Sequence, residues 1–235
     1  VSGYTFLGWK SSADGKVYDA GEKVEITKDT TFTALWRNNL GIVVDIIGGA
    51  VEGKEFFTDV SMGDWYYEAV KFCFDYDLMN GVGNGKFSPD TTLTRAMLAQ
   101  VLYNLDEARG SYGGVFTDVS DSAWYANAVN WAAASGIVEG KGNNKFDPDA
   151  PVTRQEMAAI FYRYASYKGY DVSAAASLDR FTGASKVASW AKDAMSWAVG
   201  GYVINGKGAG RLDPTGTATR AEVAQILMNF CNNVL

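Results

Sequence analysis

The chain has 235 residues, 47% of them hydrophobic, and a net charge of −6. That apolar share is ordinary for a globular protein, and the length suits one large domain or two small ones. The acidic balance argues against nucleic acid as the main partner, because phosphate binding needs a basic face. The sequence holds no histidine, which removes His-based triads, His metal sites and the commonest general base.

No apolar run approaches the roughly 18 residues of a membrane span; Ile42 to Ile47 is short and contains Asp45. No signal peptide is visible. Val1 opens directly into a strand-like pattern, so the chain is expected to be a fragment of a longer protein.

Residues 1–36 read as a small β module. Gly3-Tyr4-Thr5-Phe6-Leu7-Gly8-Trp9 alternates aromatic and small residues, and Val24–Thr27 and Thr31–Trp36 alternate with period two. Asp14-Gly15, between strand-like runs, is a hairpin signal. The GYTFLGW and TTFTALW segments resemble the second half of the Listeria–Bacteroides surface repeat. Residues 37–56 read as a linker, with a helical turn or more through Leu40 to Ile47.

From residue 57 onward the sequence repeats. Phe57-Thr58-Asp59-Val60 recurs as Phe116-Thr117-Asp118-Val119, and Trp65 recurs as Trp124 and Trp190. Thr94-Arg95 recurs as Thr153-Arg154 and Thr219-Arg220. The offsets agree: 124 − 65 and 153 − 94 are both 59, and 190 − 124 and 219 − 153 are both 66. Markers that move together define a repeated structural unit. Each unit, about 57–109, 116–168 and 181–235, reads as helix, loop, helix. The first helix is expected to start near Asp64, Ser122 or Ser189, all good N-caps. The glycine-rich loops around Gly81, Gly140 and Gly206 each run toward a proline, and the second helix begins at the Thr-Arg pair. The seven extra residues before the third unit are expected as a longer connection near Gly169 to Leu178.

Most repeated residues admit a structural role. Thr153 with Glu156, and Thr219 with Glu222, are capping boxes, whereas the first unit has Met97 in place of the Glu. The tryptophans read as core anchors, with a sugar-stacking platform as the alternative. The loop glycines read as positions of positive φ. Cys73 and Cys231 read as buried free thiols. The arginines resist such treatment. Arg95, Arg154 and Arg220 each sit in a helical first turn, where a cation opposes the macrodipole at about 0.3–1 kcal/mol. An anion gripped jointly by free N–H groups and the guanidinium would explain the choice. An ion pair to Asp59 or Asp118 would explain it equally.

The pattern FTDV…W…G…P…TR closely resembles S-layer homology domains over about residues 56–235. The resemblance implies a mainly α, pseudo-threefold domain, with a central three-helix bundle and three prongs, following the small N-terminal β module. It implies a non-catalytic module at the bacterial cell surface. Such a module binds an anionic, often pyruvylated, secondary cell-wall polysaccharide or a peptidoglycan-linked glycan in grooves between motifs. The ligand residues it implies are Arg95, Arg154 and Arg220, with Asp59, Asp118, Trp65, Trp124, Trp190, Gly81, Gly140 and Gly206 around them. A protein-interaction or adhesion module is the alternative. Gly183 stands where Asp59 and Asp118 stand, so the grooves are expected to be unequal. The loops Gly83–Asp90 and Gly142–Asp149 lack alternating calcium ligands, and no repeated acid pair suits glycoside hydrolysis. No metal, cofactor or enzymatic activity is therefore expected.

Overall fold

A computed structural model describes residues 4–38, 43–45, 56–108 and 110–235. The chain divides into two compact units, residues 1–55 and 56–234. The first is an antiparallel sheet of β1 (Tyr4–Ser11), β2 (Val17–Tyr18), β3 (Phe32–Asn38) and β4 (Val43–Asp45), in the order β2-β1-β3-β4. The expected hairpin at Asp14-Gly15 joins β1 to β2, with Gly15 at φ 71°. Gly8 sits at the irregularity in the β1–β3 register, where a Cβ would lie 2.7 Å from the Tyr18 carbonyl oxygen.

Two expectations fail here. Val24–Thr27 forms no strand, and Ile26 is exposed; its alternation finds no partner strand, and alternation without a ladder leaves the backbone unpaired. Val43–Asp45 is a strand on β3 rather than part of a helical turn. The remainder of the expected turn lies outside the described residues.

The second unit is helical. It comprises α1 (Tyr67–Asp75), α2 (Arg95–Leu105), α3 (Ala126–Ala134), α4 (Arg154–Lys168), α5 (Lys192–Gly200) and α6 (Arg220–Asn233). The Thr-Arg helices start as expected. Thr94, Thr153 and Thr219 are N-caps, and the last two close full capping boxes with Glu156 and Glu222. The first helices start later than expected, at Tyr67, Ala126 and Lys192, without a side-chain cap. Asp64 instead accepts from the Ser61 amide, closing a turn ahead of α1.

Within a repeat the two helices do not pack on each other. α1 packs on α6, α3 on α2 and α5 on α4, so each first helix lies on the Thr-Arg helix of another repeat. The core is aromatic and aliphatic: Phe161 meets Phe230 at 5.0 Å, and Trp197 meets Tyr162 at 5.4 Å. Cys73 and Cys231 are buried free thiols on α1 and α6. The extra residues before the third repeat go partly into α4, which is four residues longer than α2 (15 − 11). Of the remaining three, two extend the connection after Gly169, which Ser196 fixes through its hydroxyl to Ala176, and one lies between Phe181 and Trp190 (190 − 181 is 9, against 65 − 57, which is 8).

Positive φ explains Gly83 (102°) and Gly142 (98°) but not Gly81, Gly140 or Gly206. Their need is steric. A Cβ on Gly140 would lie 2.7 Å from the Lys145 carbonyl oxygen and 2.8 Å from the Phe116 ring, and Gly81 is equally tight against Lys86 and Phe57. Gly140→Ala is therefore expected to destabilise the helical unit by about 1–3 kcal/mol through overpacking, read by chemical denaturation. The same substitution at Gly113, with nothing within 4 Å, should be nearly neutral.

Candidate functional site

Each Thr-Arg helix opens against the proline loop of the next repeat. The Arg95 and Ala96 amides donate to Ala150 and Pro148; those of Arg154 and Gln155 to Gly216 and Pro214; those of Arg220 and Ala221 to Thr91 and Pro89. The cap threonine takes the third amide. The helix ends are thus already satisfied, and an anion gripped by free N–H groups, as expected from the sequence, has no place there.

The guanidinium groups follow the same route. Arg95 Nε donates to the Phe146 carbonyl (2.9 Å) and Nη2 to that of Glu139 (2.8 Å). Arg154 bonds Leu212 (3.1 Å) and Asn205 (2.6 Å), and Arg220 bonds Phe87 (2.7 Å) and Asn80 (2.6 Å). The first repeat therefore clasps the second, the second the third, and the third the first. All three arginines are buried, at 4%, 3% and 6% exposure. Arg95 and Arg220 also lie over the Phe146 and Phe87 rings, at 4.6 and 4.5 Å. Charge-assisted bonds of about 1.5–3 kcal/mol each outweigh the macrodipole cost that made these residues anomalous. The carboxylate partners expected in Asp59 or Asp118 are not used, because carbonyl oxygens of the neighbouring loop occupy that position.

Asp59 and Asp118 hold the same loops from the other side. Asp59 accepts from the Phe87 and Ser88 amides and Asp118 from those of Phe146 and Asp147, all at 2.8 Å. In the third repeat Gly183 leaves no carboxylate, and the Leu212 amide turns to the Thr182 carbonyl at 3.0 Å. Desolvation pushes the Asp59 and Asp118 carboxyls up, but the amide bonds prevail and hold both below the usual carboxylate range.

Two grooves flank these clasps. One, of about 310 Å³, is lined by Arg95 from the first repeat, Gly140, Lys141, Glu156 and Arg163 from the second, and Trp190 from the third. The other, of about 460 Å³, joins Arg220 from the third repeat, Gly81, Val82, Met97 and Asn104 from the first, and Trp124 from the second. Each groove brings together an expected arginine, glycine and tryptophan. At the third junction Arg154 reaches the carbonyl of Asn205, next to Gly206, and Trp65 is the residue that Trp124 and Trp190 repeat. Asp59 and Asp118 line neither groove.

The tryptophans overturn their core assignment. Trp65, Trp124 and Trp190 are 64%, 63% and 57% exposed, because the first helices begin after them and the indoles stand outside the packed stripe. Sequence reasoning missed Lys141, Glu156, Arg163 and Met97 as groove residues. Comparing the repeats at one register would have found them: Glu156 stands opposite Met97, Lys141 opposite Val82, and Arg163 opposite Asn104.

The depressed carboxyls set an acid limit. A folded-state pKa below the unfolded one stabilises above about pH 4 and is lost as pH falls through the folded value. Stability should therefore be level from pH 7 to 5 and fall below pH 4. Asp118→Asn should lower neutral stability by about 1–2 kcal/mol and flatten that fall. Denaturation curves across the pH range test both.

The comparisons with known proteins bear on this arrangement. Residues 56–97, 115–158 and 180–224, together over half the chain, match the S-layer homology domain family. The chain is 32% identical over 76% of its length to "Exoglucanase XynX" of Acetivibrio thermocellus, covering 16% of that protein. It is 31% identical over 76% of its length to "Amylopullulanase" of Thermoanaerobacterium thermosulfurigenes, covering 10% of it. It is also 32% identical over 71% of its length to "Surface-layer 125 kDa protein" of Lysinibacillus sphaericus, covering 14% of it. The chain thus spans a small fraction of these relatives. Three tandem motifs and these relatives place the chain at the cell surface: it belongs to the S-layer homology domain family, whose non-catalytic modules anchor surface proteins to the cell wall.

Proposed function

We propose that residues 57–235 form a wall-anchoring module that binds an anionic, pyruvylated secondary cell-wall polysaccharide in its inter-repeat grooves. One observation carries the reading: each groove unites an arginine, a glycine loop and an exposed indole from three different repeats. Large exposed apolar surface needs a partner, and an indole beside a cation suits a sugar ring bearing a carboxylate. The site residues are Arg95, Arg154 and Arg220 with Trp65, Trp124 and Trp190, and Gly81, Gly140 and Gly206 in the loops. Asp59 and Asp118 act indirectly, by holding the loops.

The cyclic clasp also supports a pseudo-threefold arrangement, with α2, α4 and α6 as the central bundle and the first helices with their loops as three prongs. The module is non-catalytic in this reading, and any enzymatic activity resides elsewhere in a longer protein. The N-terminal sheet is proposed as a partial Listeria–Bacteroides-type repeat. It runs through Asp45, so the linker begins later than residue 37.

Cosedimentation with purified cell-wall sacculi tests the function. Binding should be retained on native sacculi and lost after acid removal of the wall polymer. Undiminished binding to stripped sacculi, or binding only to other surface proteins, would contradict it. With a short monovalent wall fragment, which avoids avidity, Trp124→Ala and Trp190→Ala should each weaken their own groove roughly tenfold. The melting temperature should barely move, because surface side chains usually contribute within about 0.5 kcal/mol.

A further inference from the structure

We infer that the cycle of repeats has a seam: α1 and the proline loop behind it part from α6 more readily than α3 parts from α2 or α5 from α4. The three junctions follow one plan but differ in three respects, and each difference weakens the contact of the third repeat with the first. The first is the chain itself. The α2–α3 and α4–α5 contacts join repeats that follow one another in sequence, so the backbone keeps those partners at high effective concentration. The α1–α6 contact joins distant residues: Cys73 Sγ lies 3.9 Å from the Ala224 carbonyl oxygen, 151 positions away. The chain links the first repeat to the third only through the second.

The second difference is the aromatic anchor. Trp131 on α3 and Trp197 on α5 are 1% and 2% exposed. Trp131 packs edge-on against Tyr103 of α2 at 5.6 Å, and Trp197 against Tyr162 of α4 at 5.4 Å. The matching positions on α1 and α6 are Phe72 and Met228. Phe72 is half-buried, and among the described residues its one aromatic partner is Tyr76 on its own helix, at 4.7 Å. A smaller ring buries less apolar surface, and without a ring opposite it the edge-to-face attraction is lost. The third difference is charge. Arg95 reaches Glu156 of the second repeat at 3.5 Å, and Arg154 is attracted by Glu222 of the third. Arg220 has Met97 at that place, so its bonds to the Phe87 and Asn80 carbonyls close the junction without that carboxylate. A protein opens sub-globally where the fewest interactions break together, and the α1–α6 junction is that place here. The groove of about 460 Å³ is built across the seam, with Arg220 on one side and Gly81, Val82 and Met97 on the other. Opening takes it apart, whereas the groove of about 310 Å³, which joins Arg95 to the second repeat, stays whole.

The Cys73 thiol, on α1 and fully buried, reports the opening. Its counterparts on α3 and α5 are Ala132 and Ala198, equally buried. The test compares three full chains, each with one cysteine. The first carries Cys231→Ala and keeps Cys73. The others carry Cys73→Ala and Cys231→Ala together with either Ala132→Cys or Ala198→Cys. Each is treated with dithionitrobenzoate under native conditions, and its rate is divided by that of the same variant unfolded in guanidinium chloride. Cys73 should react roughly tenfold faster than either introduced thiol, with a shallower denaturant dependence than global unfolding. Met97→Glu, which supplies the missing carboxylate and completes the Thr-x-x-Glu cap that Thr153 and Thr219 already have, should slow Cys73 by roughly threefold or more. It should leave the thiols introduced at Ala132 and Ala198 unchanged. Equal reactivity at the three positions, or an unslowed Cys73 in Met97→Glu, would overturn the inference. So would labelling of Cys73 that tracks global unfolding, followed by circular dichroism of the Cys231→Ala chain. That last comparison needs no introduced thiol and holds even where an alanine-to-cysteine variant fails to fold.

Discussion

Three buried guanidinium groups, each bonded to two backbone carbonyls of a neighbouring repeat, hold the helical unit together. A repeat of one helix, a loop and a second helix cannot bury its own apolar faces. Here each first helix is covered by the Thr-Arg helix of another repeat, and the arginine at the start of that helix fixes the loop that follows. Buried charge is tolerable only when its donors are used, and loop carbonyls supply rigid acceptors. The Asp59 and Asp118 carboxylates fix the amide side of those loops, so the same peptide segment is held from both directions.

The grooves are a consequence of this clasp. An arginine that must reach across a junction brings its own first turn, the recipient loop and the indole of a third repeat around one depression. Nε and Nη2 are spent on the scaffold, which leaves Nη1 as the remaining donor of each guanidinium. The structural role of the arginines does not preclude the ligand role proposed above, because one side chain can divide its donors between them. The surroundings of the constant arginine differ between grooves: Glu156 pairs with Arg95 Nη1 at 3.5 Å, whereas Met97 stands at the corresponding place beside Arg220.

Local features were legible in the sequence. The repeat offsets, the Thr-Arg helix starts and the two capping boxes depend on residues within a few positions of one another, and each appears where the spacing puts it. Features that depend on a distant partner were not. An apolar stripe such as Ala69-Cys73 announces a buried face but not which helix covers it. Trp65 shares the helical spacing of that stripe, yet the helix begins only at Tyr67 and the indole is left outside. Carbonyl acceptors carry no side-chain signature, so the arginine partners were sought among carboxylates instead. Gly81 and Gly140 looked like turn residues, but their constraint is a phenylalanine ring and a carbonyl lying where a Cβ would be. Val24–Thr27 alternates as a strand should, and no strand among the described residues pairs with it.

Guanidinium NMR on the full chain tests the clasp most directly. The account predicts three slowly exchanging arginine Nε–H resonances, from Arg95, Arg154 and Arg220. Addition of a wall fragment should shift the Nη signals of Arg220 while its Nε–H stays protected, since the scaffold bond persists beneath the ligand. Rapid exchange of those Nε–H groups in the free protein, or loss of Arg220 Nε–H protection on binding, would contradict the claim that one side chain serves both as the inter-repeat clasp and as the floor of the groove.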